Sequence, residues 1–306
     1  MSLYILQLRA APNLLTGEGL IKEQIQIKKE LKMGNSKHFK LLKNDFIKVD
    51  GVKLYRIKAT KDLPQHGVEK GDLGGYIEKE DNLQDNAWVY NEAKVYENAK
   101  VFGDAKISVN AKVHGEARVN GDAQIYNDAR IFGNVWISGE AQVFDTAYVC
   151  ENAWVYDEVM VYGDSVVKGN TRVFGRARVY EDARVYDNAM VSGDADISGE
   201  VHVCGNAQVD GYACVFGDFR ISDNIQLRGD ALIRSNDDFC YFTKFGSENR
   251  NTTFFKTRHE EVFVICGCFE GTLEKFVEQV KETHGDNKFA KEYLLMVELV
   301  KVKFNL

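Results

Sequence analysis

The side chains that most often do chemistry are few in this sequence, and their spacings match no common catalytic signature. There are six His and six Cys in 306 residues. His114 and His202 are candidate general bases, because a neutral imidazole near pH 7 can take a proton from a hydroxyl or an amine. Both are expected to face outward, where a solvated surface side chain is the plainer reading. His259 and His284 offer further bases nearer the C-terminal end. Cys266 and Cys268 form a CxC with no partner ligands at zinc spacing, so buried thiols are expected there and no metal site. The chain has no phosphate-cradling Gly loop, no HExxH and no Ser/His/Asp signature.

What must position these residues is a repeat. From Ala87 to Ala231 every sixth residue is small or apolar, and every residue two places later is aliphatic, through 25 hexads without insertion or deletion. The first position holds 18 Ala, with Val135, Val159, Val201, Ser165, Thr171, Phe219 and Ile225 as exceptions; the second holds 17 Val, 7 Ile and Leu227. Residues two apart share one face of an extended strand. Gly stands two before the small position in 14 of 25 hexads, and Asp, Asn or Glu stands one before it in 22 of 25. These are corner formers, several of them tolerant of positive φ. Each hexad is therefore a short strand and a turn, and a fixed short period of this kind marks a solenoid.

An aliphatic and a small residue four apart, as in Val101 and Ala105 or Ile125 and Ala129, resemble the motif of the hexapeptide-repeat, left-handed parallel β-helix superfamily. The Gly that often follows the aliphatic in that family is replaced here by Tyr, Phe or Ser. The resemblance implies three hexads per 18-residue coil, hence about eight coils, with a prism about 40 Å long at the ~4.8 Å spacing of paired strands. It also implies the chemistry to look for. Enzymes of the family are coenzyme A-dependent acyltransferases that use a His base in a cleft between subunits, usually closed by a loop extruded from one coil. Twenty-five unbroken hexads leave no room for that loop. The stretch Gly71-Asp72-Leu73-Gly74-Gly75-Tyr76, the long Gly-Asp-Ala array and the tail Cys266-Gly-Cys268-Phe-Glu-Gly further resemble uncharacterised, acyltransferase-like hexapeptide proteins of phages and prophages.

With an 18-residue coil, ladders follow from the sequence. Tyr126, Phe144, Tyr162 and Tyr180 form one aromatic ladder; Lys100, Arg118, Trp136, Trp154 and Arg172 form another, read as two stacked indoles flanked by cations. Both are candidate ligand or partner surfaces, since contiguous exposed apolar patches usually bind something; the plain alternative is ladder packing. In the family such faces build homo-oligomers, most often trimers. Val155→Asp is expected to unfold the array, and the same change at Tyr156 to be tolerated.

The ends differ from the middle. Residues 1–37 read as an N-terminal extension, with Met33 a candidate native start or, alternatively, a helix from Leu20 to Met33. Residues 38–84 read as a β-hairpin cap turning at Asp50-Gly51, residues 85–234 as the β-helix, and residues 235–306 as an α+β domain. Residues 85–234 carry 14 Lys/Arg and 23 Asp/Glu, a net of −9 out of −7 for the whole chain, which disfavours binding through nucleic-acid phosphates. With no run of 18 apolar residues and no signal-peptide core, a cytoplasmic location and no membrane contact are expected. The functional expectation is a non-catalytic binding or scaffold protein of phage or prophage origin, working through the flat faces and the C-terminal domain without a cofactor. The alternatives are an acyltransferase, for which coenzyme A would be the cofactor, and a sponge for a small signalling nucleotide held by side chains such as Trp154 and Arg172.

Overall fold

The computed structural model describes residues 37–306. The N-terminal extension, the Met33 start and the helix from Leu20 to Met33 fall outside the described residues. Strands β1 (Phe39–Val49) and β2 (Val52–Ala59) form an antiparallel hairpin whose turn residues Asp50 and Gly51 both have positive φ, as a two-residue hairpin loop requires. Strand β3 (Leu73–Ile77) pairs antiparallel with β2 on one side and parallel with the first coils on the other, at Tyr76↔Lys94.

Twenty-five strands, β4 to β28, follow from Trp88–Val89 to Leu232–Ile233, one per hexad. They build a parallel β-solenoid of about nine turns. Its first face has nine strands; the second has eight and is extended by β1–β3 into an 11-stranded sheet; the third has eight. Register is fixed at 18 residues, as in Trp136↔Trp154 and Ile137↔Val155, so each inward aliphatic lies on the Val, Ile or Leu of the next coil. These residues and nearly all the small ones are fully buried, which explains the preference for Ala: the corner of a narrow prism holds a small side chain, with Val or Thr in a few coils.

All 25 corner residues two before the small position have positive φ: 14 are Gly and 11 are not. The non-Gly corners are mostly acids, and the structure gives a reason. The amide N–H of a left-handed corner takes no backbone partner within its own turn, and a carboxylate from the preceding coil supplies one: Asp85 to the Gly103 amide at 3.1 Å, Glu97 to Gly115 at 2.7 Å and Glu181 to Gly199 at 2.7 Å. Val109, at φ 62°, is the exception, a β-branched residue held where Asn, Asp or Gly belongs. Val109→Asn is expected to raise stability by about 1 kcal/mol, read as a higher melting temperature. An unchanged or lower value would mean that the corner is not strained.

Both ends of the solenoid are covered. At the start, Arg56 of β2 donates to the Gly74 carbonyl at 3.0 Å and pairs with Glu92 of the first coil at 3.0 Å, while His38 hydrogen-bonds the Ala87 carbonyl at 2.8 Å. At the far end an antiparallel sheet of β29 (Phe239–Phe245), β30 (Arg250–Lys256), β31 (Val262–Cys266) and β32 (Phe269–Thr272) lays Phe255 and Ile265 on the last coils. Phe219, which occupies a small position, packs against Phe239 at 6.3 Å between ring centres. Helices α1 (Leu273–His284), capped by Thr272, and α2 (Lys288–Phe304), capped by Asn287, cover the sheet's other side around Phe254, Phe276 and Tyr293. Among the described residues no helix is long and apolar enough to cross a membrane.

Candidate functional site

The outward side chains of the strands form one column per face, and beside each column the residue preceding the small position forms an edge. On the first face that edge carries Asp104, Asp122, Glu140, Glu158, Asp194 and Asp230 along with Asn86, Arg176 and Tyr212; on the second it carries Glu92, Asp128, Asp164, Asp182, Glu200 and Asp218 along with Asn110 and Thr146. The third face is different. After Asn98 and Glu116 its edge reads Asn134, Asn152, Asn170, Asn188, Asn206 and Asn224. Each Nδ2 donates to the Oδ1 one coil further: 3.5 Å from Asn134 to Asn152, then 3.1, 3.2, 3.3 and 3.2 Å up to Asn224. An amide has two N–H donors and two acceptor lone pairs. An interior member of the ladder spends one of each on its neighbours and keeps one of each for a ligand.

The column beside this ladder holds Arg118, Trp136, Trp154 and Arg172. Arg118 lies 5.8 Å over the Trp136 ring and Arg172 lies 6.0 Å from the Trp154 ring, cation–π contacts worth about 0.5–1 kcal/mol at exposed sites. The indoles are not stacked face to face as the column spacing suggests. Their centres are 5.8 Å apart and the rings tilt by 38°, because Trp136 Nε1 donates to Asn120 Oδ1 at 3.3 Å and turns that ring aside. Trp154 is left 48% exposed. From Asn134 to Ser192 no outward strand or edge residue of this face is acidic, although the corners Glu151 and Asp187 border it. Two shallow clefts close its ends. One of about 300 Å³ lies among Lys79, Asn98, Lys100 and Arg118; the other, about 370 Å³, lies among Asn224, Gln226, Glu248 and Arg250.

The other candidates lie apart from this face. Tyr126, Phe144, Tyr162 and Tyr180 belong to the first face and stack at 4.7, 4.8 and 4.9 Å with interplanar angles of 1–4°. Each ring is half-buried and covers its neighbour's face, and burial raises the pKa of the Tyr126, Tyr162 and Tyr180 phenols. The ladder therefore spends its π surface on itself. Replacing Tyr126, Phe144 and Tyr162 together by Ser is expected to lower the melting temperature, at about 0.5–1.5 kcal/mol per lost pair, and to leave the molecular mass unchanged. A change of mass on light scattering would make this face an interface instead.

On the second face His114 is sandwiched between Tyr96 and Phe132 at 4.7 and 5.4 Å, with Nδ1 3.5 Å from Glu97. His202 lies between Arg184 and Arg220 in the strand register and within 3.3 Å of the Tyr186 hydroxyl. Burial, then the two guanidinium groups, hold its pKa below the ordinary value. Neither imidazole borders either of the two clefts, and no loop longer than four residues interrupts strands β4 to β28. His259 is exposed beside Asp230, and His284 stacks on Tyr293 at 5.7 Å. Among the described residues no three His, Cys, Asp or Glu side chains converge to hold a metal.

A family model described as the YdcK beta solenoid repeat matches residues 123–139 and 183–199. The two windows are each about one turn long and start ten hexads apart, so they report the repeat and not the ends. No curated protein matches the chain. The Asn ladder has no signal within a hexad, where Asn, Asp and Glu serve alike beside the corner; it shows only down an 18-residue column, where one edge is mostly amide and the other two are mostly acidic.

Proposed function

We propose that this chain is a non-catalytic binding protein whose third face takes an extended, hydroxyl-rich chain, a glycan, laid along the Asn ladder and the exposed indole of Trp154. The observation that carries this reading is the replacement of carboxylates by amides along one edge of three. Hydroxyl groups both donate and accept, and the ladder offers one donor and one acceptor per interior coil at a repeat of ~4.8 Å. Trp154 adds apolar surface, and Arg118 and Arg172 add cationic donors at either end of the indole pair. A nucleic acid would meet the acidic corners and edges on either side, which oppose a polyphosphate. Phage or prophage origin, implied by the sequence resemblance, is part of this proposal and is read from the genes that flank the coding sequence.

The test is retention of the full chain in native gels cast with neutral and acidic polysaccharides. Retardation by at least one is expected, with Asn152→Ala combined with Trp154→Ala weakening it at least tenfold while the circular dichroism spectrum persists. Free migration through every gel, or a variant that binds like the parent, overturns the reading. So does release of free thiol from acetyl-coenzyme A that is lost in His114→Ala or His202→Ala, which would establish the acyltransferase instead.

A further inference from the structure

The N-terminal cap inverts the charge of the body it closes. Residues 38–61 carry seven Lys or Arg and two Asp, a net of +5 in a chain of −7. In the hairpin register Lys48 stands directly opposite Lys53, and Phe46 directly opposite Tyr55. Paired residues, and residues two apart on a strand, share one face of the ribbon, so these four lie together. The other face carries Ile47, Val49, Val52 and Leu54, which pack around Tyr76 and Tyr96. Both Asp of the hairpin are engaged on that other side. Asp45 pairs with Arg56 at 3.3 Å; burial and then the Asp50 carboxylate raise the pKa of the Tyr96 phenol, which places Asp50 near it. The first face is left to cations and rings. Lys43 holds its ammonium 4.2 Å from the Tyr55 ring centre and Lys53 holds its own 4.5 Å from that of Phe46, with the two rings 6.2 Å apart. All three Lys are exposed, Phe46 is 42% exposed, and among the described residues none of the three Lys has a carboxylate partner. Like charges directly opposite cost a hairpin stability, so folding alone does not call for Lys48 facing Lys53.

We propose that this face of the hairpin binds single-stranded nucleic acid, with phosphates on Lys43, Lys48 and Lys53 and bases stacked on Phe46 and Tyr55. Charge complementarity selects a polyanion, and the rings select among polyanions. An ammonium over a ring is held by its π face; a base can take that place while the Lys moves to a phosphate. An acidic protein surface or a sulfated glycan offers nothing flat to the rings, and a duplex keeps its base faces stacked inside. An anionic bilayer needs apolar side chains to insert, and Phe46 is the one large apolar residue of the hairpin more than a third exposed. The acidic array behind the cap repels the rest of the strand, so the footprint is short. Three phosphate contacts on a single strand make the affinity fall with about the second power of the salt concentration.

Fluorescence anisotropy of the full chain with a labelled oligothymidine of about 20 nucleotides tests this. Raising salt from about 50 to about 200 mM is expected to weaken binding about twentyfold. Phe46→Ala should weaken it about fivefold or more by removing one stacking platform. Lys48→Gln with Lys53→Gln should flatten the salt dependence to about the 0.7 power. Lys40→Gln with Lys58→Gln makes the same charge change at a cross-strand pair on the opposite face and should bind like the parent. Each variant is expected to keep the parent circular dichroism. Absence of binding at about 50 mM salt overturns the proposal, as does an equal loss from both Lys pairs or a Phe46→Ala variant that binds like the parent. So does equal affinity for heparin or for a duplex of the same length, or preferential binding to anionic phosphatidylserine vesicles. Asn152→Ala with Trp154→Ala should leave the oligonucleotide affinity unchanged, which separates this site from glycan binding by the third face; loss of affinity there would place the strand on that face and overturn the assignment to the hairpin.

Discussion

Val155→Asp is expected to unfold the solenoid, whereas Trp154→Asp, one residue away, leaves it folded. Val155 is fully buried between Ile137 and Val173 of the adjacent coils, in a prism interior whose buried polar side chains at the small positions, Ser165 and Thr171, carry no charge to pair a carboxylate. An unpaired charge there costs several kcal/mol even after it takes up a proton. That is a large share of the 5–15 kcal/mol that holds a typical domain. In a solenoid the damage spreads, since each coil is stabilised by its two neighbours. Trp154 is half-exposed, and its loss removes one cation–π contact. Tyr156 falls between the two. The alternation of the strand predicts that it tolerates Asp, but its ring is half-buried and stacks on Phe174 at 5.1 Å, so a loss of about 1 kcal/mol is expected there. Thermal melts of the three variants check the order; equal midpoints for Val155→Asp and Trp154→Asp would show the inward and outward faces to be misassigned.

Gly75→Val is expected to detach the N-terminal cap and to convert the protein into large aggregates. An added Cβ at Gly75 would lie 2.6 Å from the Ala93 carbonyl oxygen and 2.7 Å from Val89 Cγ1; at Gly74 it would lie 2.5 Å from both Ile57 Cγ1 and the Val89 carbonyl oxygen. Backbone and core side chains cannot yield at that range, so the cost is about 3 kcal/mol or more. β3 joins the hairpin to the second face, and its displacement exposes the unpaired edge of Lys94–Val95. A bare sheet edge templates pairing with other chains. Light scattering on heating should show aggregation well before the parent protein, while Leu73→Ser, at a 57% exposed position of the same strand, should match the parent. Parental behaviour of Gly75→Val would mean that another element closes this end.

The solenoid was legible because its rule is local and repeated. One coil of sequence, Gly121 to Ser138, already contains the strand alternation, the corner chemistry and the small residue that narrows the prism. The hairpin was legible from Asp50-Gly51 for the same reason. The third face was legible only in part. Trp136, Trp154 and the two Arg are conspicuous residue types, and the 18-residue column put them together. The tilt that separates the indoles depends on Asn120, which belongs to a different column and has no marked sequence signal. The exposed apolar side of α2 was hidden by the buried one: a sequence with aliphatics at 295, 296, 297, 299, 300 and 302 reads as one broad hydrophobic face until the sheet has claimed one side of it.

The unbroken register of the array has a geometric consequence for the ends it connects. Each residue's angular position about the long axis depends only on its number modulo 18, so the array works as a dividing head as well as a spacer. Inserting or deleting 18 residues would lengthen or shorten the body by one step of ~4.8 Å and leave the C-terminal sheet and helices pointing the same way. Inserting six would keep every strand intact but swing the far end by a third of a revolution, carrying α2 from one side of the body to another. Twenty-five hexads without a single slip therefore hold constant the angle between the amide-edged face and the helix at the far end.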